Sequence, residues 1–305
     1  MMKTKLIVVA GPTASGKTSL GIEIAKAVNG EIISADSMQV YKDMPIATAA
    51  PTESERSEVP HHLVEFLERD ELFSVSDFCK YAKGAVDDIV SRGKVPILVG
   101  GTGLFINSFV DNIKFTETET NFELREKLME KSVDELYDML LKIDKTAAET
   151  IHKNNKTRVV RALEIYYSSG ETKSAQNEKS RLEESPYDVL YFVIGFKDRA
   201  ILYDRINKRV DIMAENGLVE EAKKCFANGG KTSAQAIGHK ELVPYLNGEV
   251  SLEDALDKLK QETRHYAKRQ ITWFKKRENA VWLYADTENI SAEAVNQSKE
   301  FIKNG

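Results

Sequence analysis

VVAGPTASGKTSLG, residues 8–21, contains Gly11-Pro12-Thr13-Ala14-Ser15-Gly16-Lys17-Thr18, which fits G-x-x-x-x-G-K-[ST] without a gap. Such a loop grips phosphates. Backbone N–H groups at a helix N-terminus surround the oxygens, the lysine neutralises charge, and the last hydroxyl is placed to hold Mg2+. The flanking sequence suits it. Lys5–Ala10 is a short, β-branched apolar run that predicts a buried strand, and Leu20, Ile24 and Val28 fall on one face of a helix predicted over Ser19–Val28. Phosphate binding is not yet a reaction. The loop would serve a kinase, an ATPase, or any enzyme that binds a diphosphate.

Two further strands are predicted at Glu31–Ala35 and Val95–Val99, with a helix over Asp77–Arg92 between them. Alternation of this kind predicts an α/β fold, a P-loop NTPase-like parallel sheet with helices on both faces. Ligands collect at the carboxyl ends of such strands. All three strands end in a polar or glycine-rich tip: the loop above, Asp36-Ser37-Met38-Gln39, and Gly100-Gly101-Thr102-Gly103. The tips should converge on one site. Residues 43–63 read as loop, with Pro45, Pro51 and Pro60. Residues 121–169 read as consecutive helices with no strand, 170–186 as a polar loop, and a strand returns at Val189–Phe196 before helices dominate to Phe274. The division expected is a core of 1–118 and 187–305 with an all-helical insertion at 119–186.

Composition bounds the alternatives. The 305 residues are 42% hydrophobic and 30% charged, enough for one elaborated domain or two. Cys79 and Cys225 stand far apart, which is neither a disulfide framework nor a zinc pattern and fits a reducing cytoplasm. The first apolar run ends at Gly11, too soon for a signal-peptide core or a membrane span. Nothing demands a dimer or an obligate protein partner. Net charge is −5, yet Lys258–Arg277 carries eight Lys/Arg and one acid, a local +7 that leaves −12 elsewhere. Such a stretch is either a solvated helix face or a surface for an anionic partner.

Several residues carry possible chemistry. Asp36 could be a general base or a turn cap. The 100–103 turn could add N–H donors and the Thr102 hydroxyl, or be only a tight turn. Arg205 and Arg209, at i and i+4, share a helix face that suits phosphate or plain solvent. His61-His62 lacks a third metal ligand nearby. Lys260, Arg264 and Lys268 recur every four residues beside a more apolar stripe of Leu259, Thr263, Ala267, Ile271 and Phe274. One side should pack and the other present cations, which beside Arg158 and Arg161 would make a cationic groove.

GPTASGKT, SADSMQVY, VPHHL, FSVSDF, VPILVGGTGL, TRVVRALE, RINKRVDIM, QAIGHKEL and TRHYAKRQITWF follow in this order. As a set they resemble the bacterial tRNA dimethylallyltransferases, also called tRNA isopentenyltransferases, over essentially the whole chain. The resemblance implies a P-loop that holds the diphosphate of dimethylallyl diphosphate, although the loop carries the usual nucleotide- and ATP-binding signature. It implies prenylation of N6 of adenine 37, in the anticodon stem-loop of tRNAs that read codons beginning with U. By the same resemblance Asp36 matches the general base and Thr102 a threonine near the reacting centre. Ser37, Met38 and Gln39 match an adenine- and anticodon-contacting stretch. Thr157, Arg158, Val159, Val160 and Arg161 match a tRNA-contacting segment, and Arg125 an isolated contact. Lys17 with one or both of Arg205 and Arg209, and Mg2+ at Thr18, would stabilise departing diphosphate. The alternatives left open are a small-molecule kinase using ATP at the same loop and a non-catalytic nucleic-acid-binding ATPase.

Overall fold

In a computed structural model, which describes residues 3–115, 121–227, 236–287 and 289–304, six strands form one all-parallel sheet in the order β3-β2-β4-β1-β5-β6. The strands are β1 (Thr4–Ala10), β2 (Gly30–Ser34), β3 (His61–His62), β4 (Val95–Gly100), β5 (Tyr187–Gly195) and β6 (Val281–Tyr284). β1 lies at the centre, and Leu6 to Ala10 are fully buried. Its unbroken apolar run is what a strand covered on both faces requires. One face packs Leu6, Val8, Ile33 and Leu98 with Phe78 and Phe105, and the other packs Ile7, Val9, Ile32 and Ile97 with Leu20 and Ile24.

The first half supplies α1 (Lys17–Val28), α2 (Pro45–Thr48), α3 (Glu53–Glu58), α4 (Val75–Ser91) and α5 (Gly103–Val110). α1 ends at Asn29, in the left-handed region at φ 53°, a conformation asparagine tolerates better than most residues. Ser74 and Asp77 cap α4 reciprocally, as Thr52 and Glu55 do α3. Residues 43–63, read above as loop, therefore hold two short helices and β3. The adjacent histidines serve the sheet edge: His61 Nδ1 lies 2.7 Å from Val59 O and His62 Nε2 2.8 Å from Glu31 Oε2.

The chain divides into two compact units, with breaks at Val110/Asp111 and Ser185/Pro186. The second unit holds α6 (Phe122–Met129), α7 (Val133–Ile143), α8 (Lys145–Thr150), α9 (Lys156–Ser169) and α10 (Lys173–Lys179) around Leu128, Leu136, Leu140 and Leu163. It begins earlier than 119 because the Lys114 N–H donates to Ser180 O at 3.0 Å, tying 111–115 to the helical unit. α10 falls in the stretch read above as loop, anchored by Asp144, which accepts from Ser174 N at 2.9 Å. The first unit resumes with β5, α11 (Arg199–Glu215), α12 (Leu218–Ala227), α13 (Val243–Leu246), α14 (Leu252–Phe274), β6 and α15 (Ile290–Lys303).

At the carboxyl end of the sheet the backbones nearly touch. A Cβ on Gly100 would lie 2.2 Å from Ala35 O. Gly100→Ala should therefore cost about 1–3 kcal/mol through overpacking. Gly84→Ala, in the exposed middle of α4 with open space at the Cβ position, should add about 0.5–1 kcal/mol. Urea unfolding midpoints of the two variants check both signs.

Candidate active site

The P-loop closes tightly between β1 and α1. Gly16 precedes the helix at φ 91°, a left-handed conformation, and provides no side-chain cap. The first N–H groups of α1 thus have no capping side chain, the arrangement that receives an anion. Two hydroxyls belong to this loop. Ser15 Oγ is buried with no hydrogen-bond partner among the described residues, and Thr18 lines the cavities described below. Lys17 folds back so that Nζ donates to Pro12 O at 2.6 Å.

Two cavities meet here. The smaller, about 390 Å³, is lined among others by Thr13, Asp36, Thr48, Tyr266 and Gln270. The larger and more open one, about 950 Å³, reaches Gly16, Arg205, Lys208 and Ile212. Lys17, Thr18, Ala49, Pro51, Arg209 and Met213 line both. Burial and then the Arg209 guanidinium push the Lys17 ammonium down to about 7, against the opposing pull of Asp36. Burial likewise pushes Arg209 down while Asp36 pulls it up. Two cations and one carboxylate therefore feel one another across a single space.

The two arginines of α11 differ. Arg209 is half-buried in the wall shared by both cavities. Arg205 is exposed, donates from Nε to Ala14 O at 2.9 Å, and lies over the Phe196 ring. It braces the loop from the larger cavity.

Asp36 follows β2. Its Oδ1 accepts from Met38 N at 2.9 Å and Gln39 N at 3.3 Å, so the turn-capping geometry is present. Thr102 Oγ1 accepts from Ser37 N at 3.2 Å, joining the second and third strand tips. Gln39 spans Ser34 Oγ at 2.8 Å and Ala49 O at 3.0 Å. The tips of β1, β2 and β4 meet at the smaller cavity.

Sequence reasoning missed the two side chains that complete this wall. Gln270 of α14 accepts from Thr13 N at 2.9 Å and donates to Gly101 O at 2.9 Å. Tyr266 sits one turn earlier, against Thr102 and Gln270; burial and the charge of Asp36 push its phenol up. Gln270 shares the buried face of Ala267 and Phe274. An amide on an apolar stripe was the available signal.

The remaining predicted residues fall into two groups. Lys260 pairs with Asp211 at 2.7 Å, and Arg264 donates to Asn207 Oδ1 at 2.6 Å. The expected cationic face is thus partly turned onto α11, because Asn207 and Asp211 repeat with the same four-residue spacing. Lys268 is exposed. In the helical unit, Val159 and Val160 are buried core and present no side chain to a partner. Arg125 and Arg161 both reach the fully buried Glu164, at 2.8 and 3.0 Å. Thr157 and Arg158 are exposed. No cluster of three or more His, Cys, Asp or Glu able to hold a metal occurs among the described residues.

The family model described as IPP transferase matches residues 39–277. This chain belongs to the IPP transferase family. It is 47% identical to the tRNA dimethylallyltransferase of Acetivibrio thermocellus, over 97% of each chain. Among solved structures, it resembles the tRNA delta(2)-isopentenylpyrophosphate transferase of Staphylococcus epidermidis (43% identity, 99% of this chain and 100% of that one, TM-score 0.73). It also resembles a eukaryotic dimethylallyltransferase acting on tRNA (32% identity, 99% of this chain and 80% of that one, TM-score 0.85). The P-loop and Asp36 precede the span matched by the family model.

An anion held beside Lys17 would bind in a pH-dependent way. An anion favours protonated Lys17, whose pKa of about 7 leaves it half charged at neutrality. Affinity for inorganic pyrophosphate should fall about fivefold between pH 7 and 8 from this group alone. Lys17→Met should lose that component of the pH dependence, as read by calorimetric titration. In the ligand-free protein the unfolded chain binds more protons here between pH 7 and 10.5, so stability rises with pH across that window.

Proposed function

We propose that this enzyme transfers the dimethylallyl group from dimethylallyl diphosphate to N6 of adenine 37 in tRNAs reading codons that begin with U, with release of diphosphate. The observation that carries this reading is the opposition of Asp36 to Lys17 and Arg209 where two cavities join. One cavity can take a flat base and the other a charged leaving group.

An exocyclic aromatic amine is a weak nucleophile, because its lone pair is delocalised into the ring. Asp36 takes the N6 proton as the new C–N bond forms. At the allylic carbon the C–O bond breaks, and its electron pair leaves with diphosphate. Lys17, Arg209 and the N–H groups of the P-loop face the oxygens on which that charge develops. No phosphoryl group moves, since attack is at carbon. Arg205 supports the loop from the larger cavity, where its guanidinium can meet the outer phosphate.

Mg2+ fits the P-loop hydroxyls. Thr18 lines both cavities and Ser15 Oγ is an orphaned buried oxygen. With no carboxylate cluster among the described residues, Thr18 would hold the ion jointly with substrate oxygens and water, as hard, hydrated Mg2+ permits. When bound, it supplies charge neutralisation on the diphosphate.

The adenine must leave the anticodon stack to reach Asp36, which an unpaired loop makes less costly. Ser37, Met38 and Gln39 are half-exposed beside Asp36 and suited to touch it. For the RNA backbone the exposed cations include Lys268, Arg269, Lys275 and Lys276 of the basic tract and Arg158 of the helical unit. The helical unit's role is tRNA contact. No helix among the described residues is long and apolar enough to cross a membrane. The cytoplasm, where tRNA is found and the free thiols of Cys79 and Cys225 persist, is the proposed setting.

Incubation with labelled dimethylallyl diphosphate and unmodified tRNA tests the reaction. Label should enter tRNA carrying adenine at position 37 and not the variant carrying guanine there, and ATP should not replace the donor. Asp36→Asn should retain the turn, since an amide oxygen still accepts from residues 38 and 39. It should lose about 10²–10⁴-fold in single-turnover rate; a rate near wild type would remove Asp36 as base. In a filter-binding salt series, Lys268→Ala with Lys275→Ala and Lys276→Ala should reduce the slope of log affinity against log salt by about 0.7–0.9 for each RNA phosphate left without its cation. Lys260→Ala with Arg264→Ala should instead lower thermal stability, with a smaller effect on that slope.

A further inference from the structure

α2 borders both cavities. Ala47 and Thr48 line the smaller one, Pro45 and Ile46 the larger. Four residues cannot hold a helix by themselves, and this one is clamped at both ends. At its start the Ile46 N–H donates to Glu221 Oε2 at 2.8 Å and the Ala47 N–H to Glu221 Oε1 at 2.9 Å. At its end Gln39 Nε2 donates to Thr48 O at 3.2 Å and Ala49 O at 3.0 Å. Gln39 in turn donates its backbone N–H to Asp36 Oδ1 at 3.3 Å. A continuous chain of hydrogen bonds and one short helix thus runs from α12 to the carboxylate of the site.

Glu221 is itself held from behind. It is buried, and Nε2 of the fully buried His239 lies 2.9 Å from its Oε1. Two backbone N–H groups pointing at one carboxyl suit a carboxylate, which only accepts, so the ring nitrogen facing it must be a donor. His239 then carries its hydrogen on Nε2. Its Nδ1 has no partner among the described residues. The turn that carries His239 is pressed onto the same helix: a Cβ on Gly238 would stand 3.1 Å from the Ala47 Cβ.

We infer that Glu221 and His239 are positioning residues for the transfer reaction, fixing α2 and through it Gln39 and Asp36 relative to Lys17 and Arg209. Neither side chain needs to touch a substrate. The inference rests on the function proposed above, and it adds two residues that neither the P-loop nor the strand tips contain.

Glu221→Gln preserves size but offers one oxygen where two N–H groups converge. It should lower kcat for prenyl transfer about 10- to 100-fold, the scale of a misplaced catalytic group, with KM for both substrates changed much less. His239→Leu should act in the same direction. His239→Gln, whose amide nitrogen can reach Glu221 as Nε2 does, should recover most of the rate. A second measurement needs no substrate. Hydrogen exchange at the Ile46 and Ala47 amides should speed up about tenfold or more in Glu221→Gln and His239→Leu but not in His239→Gln, with β1 remaining protected. Normal kcat despite rapid exchange at α2 would overturn the inference, as would equal acceleration across β1, which would mark these residues as general supports of the fold. If the wild-type enzyme fails to transfer the group at all, the functional reading falls, and the exchange pattern alone then upholds or overturns the hold on α2.

Discussion

One amide keeps the site together. Gln270 takes the Thr13 N–H on its oxygen and gives its nitrogen to Gly101 O, so one side chain closes the gap between the P-loop and the third strand tip. A side-chain amide offers a donor and an acceptor at the two ends of one planar group. The approach needs glycine opposite, because a Cβ on Gly101 would fall 2.3 Å from Gln270 Nε2. One turn on, Trp273 occupies the space that a Cβ on Gly103 would take. Leaving either backbone partner unpaired in a buried setting costs about 1–3 kcal/mol, which ties the position of α14 to that of the loop.

Around this joint the electrostatics work against the empty protein. Lys17 and Arg209 share a confined space, and both are pushed down by burial. Asp36 offsets only part of that. An anion bound between them would supply the missing negative charge. Stability is given up where the chemistry needs concentrated charge, a common exchange in enzymes.

Much of this was legible in the sequence because it depends on local rules. A buried strand, a glycine loop and an amphipathic helix are each written in a few consecutive residues, and three strand tips of the same kind point to one edge of a parallel sheet. What was not legible depends on partners remote in sequence. Lys260 and Arg264 read as an outward cationic face, and nothing in their own helix announces Asp211 and Asn207 across from them. The valines of TRVVR sit within a basic segment but serve the helical core. β6 is four residues long and α2 owes its existence to Glu221 and Gln39, so neither has a pattern of its own. Phe105 stacks on Phe78 at 4.6 Å, a pairing across two helices that neither segment shows by itself.

Thr13 and Gln270 stand 257 residues apart, and β1 pairs on one side with β4 and on the other with β5. During synthesis the phosphate loop is therefore among the first segments to leave the ribosome and among the last to be secured. The nascent chain carries an exposed, strongly apolar central strand until residues 187–195 arrive, and an unpinned loop until nearly all of α14 has emerged. The helical unit, continuous in sequence, has its own core and can settle in the interval. Assembly order thus withholds the finished pocket from an incomplete polypeptide, and an apolar strand still without its second partner is the kind of unpaired edge that favours aggregation in large chains.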